Sequence, residues 1–277
     1  MRRALAPLPP DTTAASAPPA ALRALIFDVD GTLADTEEGH RQAFNAAFRT
    51  HGLTWSWSPA EYAELLQVTG GKERIRAYIE RLAAADPARR HLVAVAAIHA
   101  TKSAAYVDLL ARGGLRLRAG VQRLMHEARS AGVRLAIAST TSPANVEALL
   151  AKNFPGGARG GFDVIATGDV VRYKKPAPDI YRLALAQLGV RADEAMAFED
   201  SMIGVQAAKA AGLVTVAVPS SWTAGQDLAA ADLVLSSLGD PEQPLPESDA
   251  WRVGANFLGL EELRTLHRAA AGAAAAP

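Results

Sequence analysis

Cysteine is absent from the 277-residue chain, which excludes disulfides, thiolate metal sites and cysteine nucleophiles and fits a reducing compartment. Net charge is absent too. Twenty-nine lysines and arginines balance 29 aspartates and glutamates, so no overall field draws in nucleic acid or an anionic membrane, and any anion site must be a local cluster. Also missing is an apolar run of the roughly 20 residues needed to cross a bilayer; the longest pieces, such as Leu213 to Val218, are strand-sized. What remains is an ordinary globular balance, 49% hydrophobic and 21% charged, enough for one large or two ordinary domains. The expectation is a soluble, cytosolic monomer with a small-molecule partner and neither a nucleic-acid nor a membrane partner. Residues 1–21, rich in Ala and Pro with two arginines, read as a flexible extension, because the prolines break any signal-peptide core. Organellar targeting is the alternative reading of that basic, acid-poor composition.

Arg23 to Val29 (RALIFDV) is a short apolar run with the loop signal Asp30-Gly31-Thr32 behind it, a buried strand ending in a turn. From Thr36 to about Arg112 apolar residues recur at three-to-four spacing, with breaks near 54–59, Gly70-Gly71, Asp86-Pro87 and Gly113-Gly114, which predicts an all-helical insert. Beyond Gly114 helices alternate with strands: VRLAIAS, FDVIAT, AMAFED, LVTVAV and LVL. Such alternation predicts an α/β fold, a Rossmann-like parallel sheet with helices on both faces, here with a helical cap inserted after the first strand. The predicted units are an α/β core (22–35 and 113–249), a cap (36–112), and a C-terminal helix with an Ala-rich tail (250–277). The glycine-rich FPGGARGG near residue 154 reads as a connecting loop.

In sheets of this kind ligands sit beyond the carboxyl ends of the strands, and Asp28, Ser139 and the pair Glu199-Asp200 all terminate apolar runs. Asp28 and Asp30 flank one residue; strand alternation would point both the same way, and two carboxylates at about 4 Å repel by roughly 4 kcal/mol at an effective dielectric of about 20 unless a cation or proton intervenes. The plain alternative is an Asp-Gly turn. Glu199-Asp200 suits a hard divalent cation such as Mg2+, or else a helix N-cap. Ser139 leads through Thr140, Thr141 and Ser142 into a helix near Pro143, either a phosphate cradle or simple capping. Lys175, in YKKPAPDIY, could neutralise a phosphate, though most lysines are solvated surface charges.

The order DxDGT, strand-terminal Ser, KPxPDxY, then ED resembles the phosphatase branch of the haloacid dehalogenase superfamily over residues 23–235. The resemblance implies that Asp28 attacks phosphorus to form an aspartyl-phosphate and that Asp30 acts as acid and base. It implies Mg2+ bound by the Asp28 carboxylate, the Asp30 carbonyl and Asp200, with Glu199 in support, and phosphoryl oxygens held by Ser139 and Lys175. The intact quartet argues against a catalytically silent binding module.

The cap carries a second candidate anion site, Gly70-Gly71 before a helix with Lys72 and Arg74 in its first turn, or alternatively a simple helix break with surface charges. His99 and Lys102, three apart, share a helix face. The segments TEEGHRQAFN, EYAELLQVTGGKERI, AIHATK and KKPAPDIYRLAL are similar to the CbbY-type phosphatases of xylulose-1,5-bisphosphate. That similarity implies a phosphorylated sugar substrate surrounded by Glu37, Tyr62, Gly70, Gly71, Lys72, Arg74, His99 and Lys102, with Thr140, Thr141 and Ser142 at the reacting phosphate. Phosphosugar mutases of the beta-phosphoglucomutase kind share the core motifs and are the alternative, as are phosphatases of other small phosphometabolites.

Overall fold

The computed structural model describes residues 20–86, 94–113, 115–154 and 156–274. The strands are β1 (Ala24–Phe27), β2 (Arg134–Ser139), β3 (Val164–Thr167), β4 (Ala195–Glu199), β5 (Val214–Ala217) and β6 (Leu233–Val234). They form one sheet in the order β3-β2-β1-β4-β5-β6, with every pairing parallel. Side-chain alternation sorts its residues by size. Leu25, Phe27, Leu135, Ile137, Met196 and Phe198 enter the cluster on one face, while Ala24, Ile26, Ala136, Ala138, Ala195 and Ala197 enter the other. Both faces are buried, as a parallel sheet requires.

Helices α1 (Glu37–Thr50), α2 (Pro59–Leu65), α3 (Gly71–Ala85) and α4 (Val95–Gly113) make the cap between β1 and β2. Ser58 caps α2 by accepting from the Glu61 amide at 3.2 Å, with Pro59 at the first helical position. The cap has its own core, in which Phe44 and Phe48 stack and the other pairs among Phe44, Phe48, Trp55, Trp57, Tyr62 and Tyr78 pack edge to face or tilted. Asn45 zips α1 to the Trp57 backbone through two bonds of 2.8 and 2.9 Å.

The core helices are α5 (Val121–Ser130), α6 (Pro143–Asn153), α7 (Gly157–Gly161), α8 (Asp179–Leu188) and α9 (Met202–Ala210), followed by α10 (Glu247–Val253) and α11 (Leu260–Ala274). Two details differ from the sequence reading. FPGGARGG is not all loop: it contains α7, and the Phe154 ring packs against Phe162 at 6.2 Å. The expected boundary at 249/250 falls inside α10, and α11 follows, burying Leu260 and Leu263 in the main core. All but the end of the extension at 1–21 lies outside the described residues, as do Pro87 and Gly114 at two expected breaks. Among the described residues no helix is long and apolar enough to cross a membrane.

Candidate active site

β1 stops at Phe27, so Asp28 is the first residue past the strand, its amide still bonded to the Phe198 carbonyl of β4 at 3.0 Å. Glu199 ends β4 beside it, and Asp200 follows. One carboxylate oxygen from each of Asp28, Glu199 and Asp200 lies within 4.8 Å of the others. Lys175 lies among them, donating to Asp28 Oδ1 and Glu199 Oε1 at 2.6 Å each. Tyr181, one turn into α8, donates its hydroxyl to the same Glu199 oxygen.

Two of the three buried carboxylates, Asp28 and Glu199, share the Lys175 ammonium. Burial pushes the Asp28 carboxyl up to about 7; Lys175 pulls against this while Glu199 and Asp30 add to it. Burial, then Asp28 and Glu199, hold Asp200 well above the usual carboxylate range. Glu199 Oε2 is buried without a hydrogen-bond partner. An excess of negative charge, an orphaned oxygen and a set of hard donors fit a divalent cation. Two glycines make the crowding possible. Gly31, at φ +80°, and Gly204 in α9 leave the space that a Cβ would fill against Asp200 and Glu199 respectively.

Asp30 lines the same cavity as Asp28 but has different hydrogen-bond partners. Asp30 Oδ1 instead accepts from Thr36 Oγ1 at 2.6 Å and pairs with His40 Nε2 at 3.0 Å. Lys102 Nζ lies 2.9 Å from His40 Nδ1. An ammonium can only donate, so Nδ1 accepts and the proton sits on Nε2, facing Asp30. Burial acts to raise the Asp30 carboxyl, but His40, Thr36 and Lys102 outweigh it and hold the group well below the usual range. His40 and Thr36 were not singled out as site residues, although both lie in TEEGHRQAFN, four residues apart at the start of α1.

One cavity joins this acidic floor to the cap. Asp28, Asp30, Ser139, Thr140, Thr141, Ser142, Lys175, Glu199 and Asp200 line it from the core, and Glu37, Gly70, Gly71, Arg74, His99 and Lys102 from the cap. Ser142 caps α6 and the Asn145 side chain, also on the cavity wall, donates to Thr141 Oγ1 at 3.3 Å. Burial, then Lys102 and Lys72, push His99 down to about 4, so it faces the cavity neutral near pH 7.

Two expected residues do not line this cavity. Tyr62 is fully buried behind its wall in the aromatic cluster, donating to Glu37 Oε2 at 2.7 Å and accepting from Arg74 Nη1 at 2.9 Å. Lys72 turns to the outer rim, where it pairs with Asp169 at 2.8 Å. Lys174 joins that rim, bridging Asp169 at 2.8 Å and Glu73 at 2.9 Å. Thr223 and Gln226, which no sequence signal marked, do line the cavity, far along the chain after β5.

A family model of haloacid dehalogenase-like hydrolases matches residues 22–212. The chain belongs to that family and is a phosphatase. Protein CbbY from Cupriavidus necator is 47% identical over 228 residues, 82% of this chain and 89% of that protein. Among solved structures, a CbbY variant from Rhodobacter sphaeroides in complex with xylulose-(1,5)bisphosphate aligns with a TM-score of 0.73 at 47% identity, covering 78% of this chain and 94% of that one. A beta-phosphoglucomutase from Clostridium difficile, 19% identical with a TM-score of 0.68 over 90% of this chain and 98% of its own, shares the fold.

Proposed function

We propose that the chain is a magnesium-dependent sugar-bisphosphate phosphatase whose substrate is xylulose-1,5-bisphosphate and whose nucleophile is Asp28. The observation that carries this reading is that one cavity holds the Asp28–Glu199–Asp200 cluster at its floor and the cations Arg74 and Lys102 on its cap wall. With a divalent cation and Lys175 at the floor, a substrate with an anion at each end would meet positive charge at both ends of the cavity. The likeness to a CbbY structure holding such a bisphosphate supports it further.

Asp28, Asp200 and the Asp30 carbonyl would hold Mg2+, with Glu199 beside them; when bound, the ion offsets the repulsion between an attacking carboxylate and a phosphate dianion. An Asp28 oxygen forms a bond to phosphorus as the phosphorus–sugar oxygen bond breaks, and the departing oxygen takes a proton from Asp30. Water then attacks the phosphorus of the aspartyl-phosphate, giving its proton to Asp30 and releasing inorganic phosphate and the Asp28 carboxylate. In the free site His40 and Thr36 hold Asp30 ionised, the form suited to that second step; for the first step it enters protonated, a form that the approach of a phosphate dianion favours by raising the pKa of a neighbouring carboxyl. Ser139, Thr140 and the α6 N-terminus would receive phosphoryl oxygens. Glu37 and His99 would meet sugar hydroxyls, and Arg74 and Lys102 the distal phosphate. Phosphate release by the purified protein with magnesium should be far faster from xylulose-1,5-bisphosphate than from ribulose-1,5-bisphosphate; equal rates would refute the assignment.

A further inference from the structure

The cap's aromatic cluster is built from cap residues, with one exception among the described residues: Trp222, from the core segment after β5. Its ring meets Tyr62 edge to face, at 5.5 Å between centroids and 90° between planes. Tyr62 in turn holds Glu37 and Arg74 on the cavity wall. The cap therefore rests on a core side chain at the very ring that organises its polar wall.

The turn that carries Trp222 has a second attachment below. Thr223 Oγ1 and Ser220 Oγ donate to Asp200 Oδ2 at 3.0 and 3.3 Å. The turn is knit tightly: the Ser220 amide donates to Thr223 Oγ1 at 2.9 Å, and the Trp222 amide to Ser220 Oγ at 3.3 Å. Gln226, at its end, accepts from the Met202 amide at the start of α9 at 2.8 Å. Four residues thus touch the cap with a ring and an acid of the buried cluster with two hydroxyls. Carboxylate orientation at a metal site depends on such outer hydrogen bonds.

We propose that Trp222 is a positioning residue that ties cap docking to the metal site: its contact with Tyr62 holds the 220–223 turn in register, so that Ser220 and Thr223 keep Asp200 oriented for a divalent cation. The proposal rests on the magnesium assignment above and not on the identity of the sugar. With the cap docked, both ends of the turn are fixed. With the ring removed, the upper anchor is lost and the hydroxyls no longer hold Asp200 in one orientation.

The test is calorimetric titration of magnesium chloride into metal-free full-length protein, without substrate, alongside steady-state kinetics and thermal melts. Trp222→Ala should weaken magnesium binding about tenfold, the low end of losses from removing outer-shell support, while the melting temperature of the metal-free protein moves by less than about 4 °C. It should also raise KM for the bisphosphate more than it lowers kcat, because the cap no longer seats Glu37 and Arg74. Trp222→Phe, which keeps an aromatic edge for Tyr62, should restore magnesium affinity to within about threefold of wild type. Should the alanine variant not fold, Trp222→Leu serves as the ring-less variant. Unchanged magnesium affinity in the ring-less variant, or a phenylalanine variant as impaired as it, overturns the proposal. A wild type that binds magnesium but ignores the bisphosphate overturns the substrate reading and leaves the calorimetry decisive for Trp222.

Discussion

The floor and the roof of the cavity are stabilised in different ways. On the core side, Asp28, Ser139, Glu199 and Asp200 stand at or just past strand ends, fixed by backbone ladders and buried with Lys175 among them. On the cap side, Arg74, His99 and Lys102 come from α3 and α4, and their placement depends on rings packed behind them: Arg74 lies over Tyr62 at 5.1 Å and Lys102 over Phe44 at 4.8 Å. The floor is anionic and its parts are set by hydrogen-bond register. The roof is cationic and its parts are set by side-chain packing. Chemistry placed on the floor tolerates no change of position, whereas specificity placed on the roof can be altered by repacking without disturbing the sheet.

Breaking the floor should have the largest effect. Asp28→Asn keeps the side-chain shape and removes the attacking anion, so phosphate release should fall by about 10⁴-fold or more, while circular dichroism and the melting curve stay near wild type. Residual turnover at a tenth of the wild-type rate would remove Asp28 from the nucleophile role.

The junction of the two sides comes next. Lys102 on the roof reaches Asp30 on the floor through His40, and Lys102→Met should lower kcat/KM by about 10²-fold, the lower range for disturbing acid–base catalysis. Burial pulls the Lys102 ammonium down to about 8, Asp30 resisting and Arg74 assisting. As pH rises through 8 the group loses its proton, so activity should decline on that alkaline side. In Lys102→Arg, which stays charged there, the decline should move to higher pH. A limb still near pH 8 in the arginine variant would trace it to another group.

The smallest effect should come from the ionic rim. Asp169 pairs with Lys72 and Lys174, but its side chain is 56% exposed, so solvent screens both pairs. Asp169→Asn should change stability by less than about 1 kcal/mol, and thermal melts of both proteins should converge as salt is raised to about 1 M, where screening is complete within a few ångströms. A loss of several kcal/mol would make the rim a major attachment of the cap.

The order of motifs along the chain identifies the floor because each motif is local: a strand, then one or two polar residues in the turn behind it. Register in a parallel sheet brings all such ends to one edge, which is why Asp28, Ser139 and Glu199 are legible although 60 to 171 residues apart. Lys175 belongs to the same logic, lying in a proline-held segment ahead of α8. The roof is less legible. Tyr62 and Lys72 lie in motifs that mark a binding face, yet one is buried behind the wall and the other turned to the rim, because a helix presents neighbouring residues in different directions. His40 lies in TEEGHRQAFN, but its role appears only through Asp30 and Lys102, and Ser220, Trp222 and Thr223 act only through groups distant in sequence.

The sequence alone determines the strand-and-helix alternation, the insertion point of the cap, and the acids that gather at the strand ends, since those follow from periodicity and from parallel pairing. Only the tertiary structure decides that Asp30 bonds to His40 and Thr36, that Glu199 Oε2 is left without a partner, and that Trp222 joins cap to core. Those outcomes depend on which side chains compete for the same buried space, and that competition exists only once the chain has closed on itself.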